Sequence, residues 1–126
     1  MGFYPTTTEN YTLYPSAVRG ATAPTAVEFY ADGRKNVRID INVSAITGTN
    51  VTFKVQGFDP AANGWFDLLT GAAQTGAARS VLQLGPEIAT ATNVGLNTSL
   101  PARMRLVPTN TAITNVTYSA SITKSY

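Results

Sequence analysis

The sequence predicts an all-β protein: an antiparallel β-sandwich, jelly-roll or immunoglobulin-like, of about seven strands, with an extended arm over residues 1–24 and the sandwich over 25–126. Three observations predict it. Apolar residues alternate with polar ones along several segments, the period of a strand with one buried and one wet face. Turn signals built from Gly, Pro, Asn and Asp punctuate the chain about every 8–15 residues. The chain is 44% hydrophobic but only 13% charged, so Thr, Ser, Asn and Gly carry the polar surface.

Residues 1–24 have no period of either kind. Pro5, Pro15 and Pro24 interrupt regular ladders there. The arm nevertheless holds Phe3, Tyr4, Tyr11 and Tyr14, and a solvated tail has no need of four aromatics. Two uses are open to it: folding back to cover an edge of its own sandwich, or reaching onto a neighbouring subunit. In the second, a chain beginning at Thr25 is expected to fold without it.

Thr25 to Ala31 is expected as the first strand, with Val27 and Phe29 inward. Asp32-Gly33 is a strong two-residue turn. Val37, Ile39, Ile41 and Val43 then alternate with Arg38, Asp40 and Asn42, and Val51, Phe53 and Val55 with Thr52 and Lys54. With Thr47-Gly48-Thr49-Asn50 between them, these segments are expected to form a long central hairpin. Asp59 to Gly64 is a turn, Trp65 to Thr70 a strand, Gly71 to Ala78 a small-residue linker, and Arg79 to Leu84 a strand with Leu82 and Leu84 inward. Glu87 to Pro101 is expected as a long loop, a class of segment that is often functional or covers a core opening. Ala102 to Val107 places Met104 and Leu106 on one face and Arg103 and Arg105 on the other. After a turn over Thr109 to Asn115, Val116, Tyr118 and Ile122 mark the closing strand.

A chain of 126 residues is one domain of ordinary size with a self-sufficient core. Nine Lys and Arg against seven Asp and Glu leave a net charge of +2, too little to point to nucleic acid or an anionic membrane. Cysteine and histidine are both absent. That removes disulfides, thiolate metal sites, the commonest metal ligand and the usual general base, so no cofactor is expected and no enzymatic activity. No apolar stretch approaches the ~20 residues of a membrane span. Met1 to Thr6 fits the myristoylation pattern only formally, because two aromatics and a proline follow the glycine.

The remaining chemical candidates are sparse. A glycosidase pair would have to come from Glu9, Glu28, Asp32, Asp40, Asp59, Asp67 and Glu87, most of which fall at turns or outward strand positions. Asp59, Asn63 and Asp67 have calcium-type oxygens, but their spacing matches no loop pattern, and Asp59 suits a turn cap. Five N-x-Ser/Thr sites, at Asn10, Asn42, Asn50, Asn97 and Asn115, follow from Asn opening strands and Thr filling them. Trp65 with Phe58 and Phe66 suits either core packing at the sandwich mouth or a sugar-stacking platform. Arg103 and Arg105 suit a solvated strand face, or a grip on phosphate or an acidic partner.

The succession VTFKVQGFDPAANGWFDLL, VLQLGP, LPARMRLVP and VTYSASI resembles the small β-sandwich capsid decoration, or cement, proteins of tailed bacteriophages. The similar stretch runs over roughly residues 35–124. The resemblance implies a structural virion protein that binds the outside of a phage shell, with the major capsid protein as partner and a homo-oligomer, trimer first and dimer second. Phage tail, neck and head-fibre modules that bind glycan or another virion protein use similar sandwiches and form the alternative. Phe3, Tyr4, Tyr11, Tyr14 and Arg19 in the arm, with Arg103 and Arg105, are the candidate partner-binding residues.

Overall fold

The computed structural model describes residues 8–126 as seven strands, with no helix among them. They are β1 (Glu9–Arg19), β2 (Val27–Tyr30), β3 (Asn36–Asp59), β4 (Gly64–Thr70), β5 (Ala78–Gly85), β6 (Gly95–Asn97) and β7 (Arg103–Ser125). The count agrees with expectation, but the strands are not the expected set. The two halves of the expected central hairpin are one strand, β3, and the last two expected strands are one strand, β7. Two strands the alternation did not reveal, β1 and β6, replace them.

The physical reason is that β3 and β7 pair with each other from end to end, Asn36 with Ser125 through to Gly57 with Met104. The stretches expected as turns lie opposite each other in this ribbon, Thr47 against Asn115 and Gly48 against Ile113. They bend the ribbon where a turn would have reversed it. Ser44 is an extra residue in β3 and Thr114 an extra residue in β7, so the two bulges cancel and the same offset holds on both sides of the corner. Bulges of this kind bend a strand and raise its twist. Gly48 at φ 135° and Ala112 at φ 48° absorb the remaining change of direction.

The bend divides one continuous sheet into two facing layers. The first is β1, the second half of β7, the first half of β3, then β5 and β6. The second is β2, the first half of β7, the second half of β3, then β4. Strands that pass from one layer to the other through bulges or bends make the corners of such sandwiches. All pairings are antiparallel except β5 with β6. Asp32 and Gly33 both have positive φ, as the turn signal requires, yet they carry the chain between layers, since β2 pairs with β7 and not with β3.

Every residue expected in the core is buried: Val37, Ile39, Ile41, Val43, Val51, Phe53, Val55, Leu82, Leu84, Met104, Leu106, Val116, Tyr118 and Ile122. The layers meet where the Phe53 and Tyr118 rings pack edge to face with centroids 4.9 Å apart. Aromatic pairs of this geometry add about 0.5–1.5 kcal/mol beyond the area they bury.

From Glu9 onward the arm folds back on its own chain. β1 pairs antiparallel with β7, Glu9 against Lys124 through to Arg19 against Val116. Register breaks on either side of Tyr14 change its phase, so the consecutive residues Leu13 and Tyr14 both point inward and are buried. Pro15 falls within the second break, where a missing N–H leaves no ladder position empty. A chain beginning at Thr25 would therefore lose an edge strand and two core side chains.

Candidate interaction face

The second layer turns one face to solvent, and the strand period decides what stands there. Outward from β2 come Glu28 and Tyr30, from β7 Arg103 and Arg105, from β3 Gln56 and Phe58, and from β4 Trp65 and Asp67. The register sets Tyr30 beside Arg103, Glu28 beside Arg105, Gln56 between Arg105 and Asp67, and Phe58 beside Trp65. Two groups that are far apart in sequence, the aromatics of the β3–β4 hairpin and the arginines of β7, thus form one surface.

Cation–π contacts tie the groups together. The Arg103 guanidinium lies 4.4 Å from the Phe58 ring centroid and 5.0 Å from that of Trp65. The Arg105 guanidinium lies 4.2 Å from Trp65. Phe58 and Trp65 pack edge to face at 5.1 Å. Because guanidinium planes are weakly hydrated and stack well on rings, these contacts hold two long side chains in one place.

Beneath them runs a hydrogen-bonded chain. Arg105 Nε donates to Gln56 Oε1 at 2.8 Å, and Gln56 Nε2 donates to Asp67 Oδ1 at 2.8 Å. Lys54 Nζ reaches the same Asp67 oxygen at 3.3 Å. The bond from Gln56, with help from Lys54, holds the Asp67 carboxyl below its ordinary pKa. Arg103 Nε is paired with Glu28, which raises the guanidinium pKa further. The contacts link these side chains to one another, with Arg105 held by Gln56 and the ring of Trp65 and not by a carboxylate, and Tyr30 is left 48% exposed at the edge.

Phe66 does not join it. It stands on the other side of β4 over Gly57, where a Cβ would come within 2.8 Å of its ring. Trp65 already carries two guanidiniums and the edge of Phe58, which disfavours it as a sugar-stacking platform.

The other sequence-predicted site residues lie elsewhere. Phe3 and Tyr4 fall outside the described residues, as does the myristoylation pattern. Tyr14 is buried in the protein's own core: its hydroxyl donates to Thr25 O at 2.6 Å, and burial pushes its pKa up to about 12. Arg19 braces the bulge around Pro15. Its guanidinium donates to Pro15 O, Ala17 O and Tyr118 O and lies 4.1 Å from the Tyr118 ring centroid. Tyr11 is half-buried beside Lys124.

Lys124 is the residue the sequence reading missed. It continues the inward series Val116, Tyr118, Ala120 and Ile122, and it is 1% exposed. Its ammonium donates to Tyr30 O at 2.8 Å and Asp32 Oδ2 at 2.7 Å, with Glu9 Oε2 at 3.6 Å. Burial pulls its pKa down, but the bond to Asp32 and the negative charges around it outweigh that, and the net shift is upward. Arg34 holds the other side of the cluster through Glu9 at 2.9 Å. The signal was in the sequence: a lysine in phase with an apolar stripe is an inward lysine.

Six of the seven acids are thus engaged with partners in the fold. Asp40 is gripped by Arg38 through both carboxylate oxygens, and Asp59 caps its turn by accepting from Ala61 N and Ala62 N. No three His, Cys, Asp or Glu residues cluster as metal ligands among the described residues. What the arrangement offers chemically is a preformed aromatic and polar contact surface.

No family model and no curated protein sequence matches the chain. Among solved structures, it is similar to the SPBc2 prophage-derived protein YomS at 11% identity, over 99% of both chains, with a TM-score of 0.55. It also aligns with the tobacco streak virus coat protein at 15% identity, over 98% of this chain and 90% of that one, with a TM-score of 0.38. The first of these is a likeness of fold.

Proposed function

We propose that the chain is a structural protein of a virion that binds the outer surface of a phage capsid and stabilises contacts between capsomers. The observation that carries this reading is the aromatic–arginine surface of the second layer. Interface energy concentrates in Trp, Tyr and Arg. Side chains fixed before contact lose little entropy on binding. Here Arg103, Arg105, Trp65 and Phe58 are fixed by one another. The fold shared with a prophage-derived protein supports the phage setting, as does the resemblance to decoration proteins. The partner is the major capsid protein, and the location is the capsid surface.

The alternative is a tail, neck or head-fibre module binding glycan or another virion protein; its glycan branch is disfavoured because the Trp65 ring is already engaged. Co-sedimentation with undecorated capsids tests the reading. Full-length protein should pellet with the shell, and Trp65→Ala and Arg105→Ala should each weaken binding about tenfold or more while leaving the fold intact. The ion pairs are already closed within the face, so attachment should depend only weakly on salt. Failure to sediment with any phage shell overturns the cement reading, and binding of Trp65-dependent glycans replaces it with the fibre reading.

A further inference from the structure

The tip of the β3–β4 hairpin carries a chemically reactive pair, Asn63-Gly64. The chain has nine asparagines, and the other eight are each followed by Tyr, Val or Thr. Side chains of that bulk crowd the backbone nitrogen they share a residue with. Gly64 has no Cβ, so its nitrogen is open to approach. Asn63 is exposed, stands at φ 51° in the turn, and makes no side-chain hydrogen bond among the described residues. The amides of Asn10, Asn97 and Asn110, by contrast, are tied to Thr123 Oγ1, Pro86 O and Gly20 O. Gly64 opposite Asp59 is also the last pair of its ladder, and ladder ends open at small cost. Asp32 precedes Gly33 in the same way, but the Lys124 ammonium pins its carboxylate at 2.7 Å.

We propose that Asn63 is a site of spontaneous deamidation, and that its β-aspartyl product unsettles the aromatic–arginine face. The Gly64 nitrogen gives its proton to hydroxide and attacks Asn63 Cγ. A bond forms between them and the bond from Cγ to Nδ2 breaks. Water returns a proton to the departing nitrogen, so ammonia leaves and hydroxide is regenerated. Water then opens the cyclic imide at either carbonyl. Opening at Cγ leaves an aspartate; opening at the backbone carbonyl leaves a β-aspartyl link, in which the chain runs through the side chain and is one atom longer. Both products carry a new carboxylate. The longer one also strains the register that sets Phe58 beside Trp65, the two rings against which Arg103 lies. The reaction belongs to the turn itself, so it stands whether or not the protein binds a capsid.

Full-length protein kept warm at mildly alkaline pH, with a mildly acidic sample as reference, tests it by ion-exchange chromatography and peptide mapping. The wild type should gain acidic forms whose new carboxylate maps to Asn63, and gain them faster at the higher pH. Gly64→Ala should slow the reaction about tenfold or more by crowding the nitrogen. That variant should fold, because a Cβ at Gly64 meets nothing nearer than Ala62 O at 3.9 Å. Trp65 is the only tryptophan in the chain, so its fluorescence reports on the face. The separated β-aspartyl form should differ from fresh protein in tryptophan emission, and Asn63→Asp, which adds the charge alone, should match it. Acidic forms that map first to other asparagines, or none at Asn63, would overturn the proposal. So would a Gly64→Ala variant that reacts as fast as the wild type, or a β-aspartyl form with unchanged emission.

Discussion

Gly48 and Ala112 meet backbone to backbone at the corner of the β3–β7 ribbon, where a Cβ on Gly48 would lie 2.3 Å from the carbonyl oxygen of Ala112. Gly48→Ala therefore forces backbone apart at a residue whose φ is 135°. The expected loss is about 3 kcal/mol or more by chemical denaturation. Its partner behaves oppositely. Ala112 sits at φ 48°, a left-handed conformation that costs an alanine about 1–2 kcal/mol. Ala112→Gly relieves that cost but adds unfolded-state entropy, so it should be neutral or stabilising by up to about 1 kcal/mol. Ala120→Gly, in a regular and buried part of β7, should destabilise.

The ion cluster at Lys124 predicts an asymmetry. Asp32 is 51% exposed in its side chain and Lys124 only 1%. Losing the lysine lets Asp32 and Glu9 return to water, whereas losing the aspartate charge leaves a buried ammonium with less compensation. Asp32→Asn keeps a side chain that tolerates positive φ and should cost about 2 kcal/mol. Lys124→Met should cost less than half of that in the same denaturation series. The reverse order would show that the pair acts through something other than burial of the ammonium.

Tyr118 predicts a gain from losing a polar atom. Its hydroxyl is buried with no hydrogen-bond partner in the protein. Tyr118→Phe should be neutral or stabilising, because the desolvation of the hydroxyl is no longer suffered. A loss above about 1 kcal/mol would point to an ordered water on that hydroxyl.

Alkali should be the pH limit of the fold. Burial raises the Tyr14 and Tyr118 phenols to about 12, and Lys124 is also raised, because its burial is outweighed by the bond to Asp32 and the Coulombic pull of Tyr11, Asp32 and Glu9 taken together. A group whose folded pKa is raised contributes stability below its unfolded pKa and loses it as pH climbs through the folded value. Unfolded phenols and ammonium groups titrate near ~10 and ~10.4. Melting temperature should therefore hold across neutral pH, where the absence of histidine and cysteine leaves no side chain to titrate, and fall steeply from about pH 10 upward. Tyr118→Phe should make that fall shallower.

Truncation separates the two parts of the N-terminal arm. A chain starting at Thr8 keeps β1 whole and is the reference for the shorter one. A chain starting at Thr25 loses Leu13 and Tyr14 from the core and bares the edge of β7. An unpaired edge of that length invites association. The shorter protein should be unfolded or aggregated in circular dichroism and light scattering.

What the sequence by itself determined was the inside of the molecule. The alternation of Val37 to Val43, Val51 to Val55 and Val116 to Ile122 named the buried face, because side-chain direction on a strand is a local property with a period of two. Extending that count by one step reaches Lys124. Local chemistry also placed the bends at Thr47–Asn50 and Thr109–Asn115, the turn at Asp32-Gly33 and the cap at Asp59. Only the tertiary structure decided what those bends do. A glycine in a strand-like stretch permits reversal or a corner equally, and the choice rests on which strand lies alongside; β7 does so for the whole length of β3. β1 escaped notice because its two register breaks put Leu13 and Tyr14 on the same side, erasing the period. The interaction face was invisible for a similar reason. Trp65 and Arg105 are 40 positions apart in the sequence, and the register of β3 against both β4 and β7 brings a guanidinium to within 4.2 Å of an indole centroid. Register is a relation between strands, which no single strand's sequence contains.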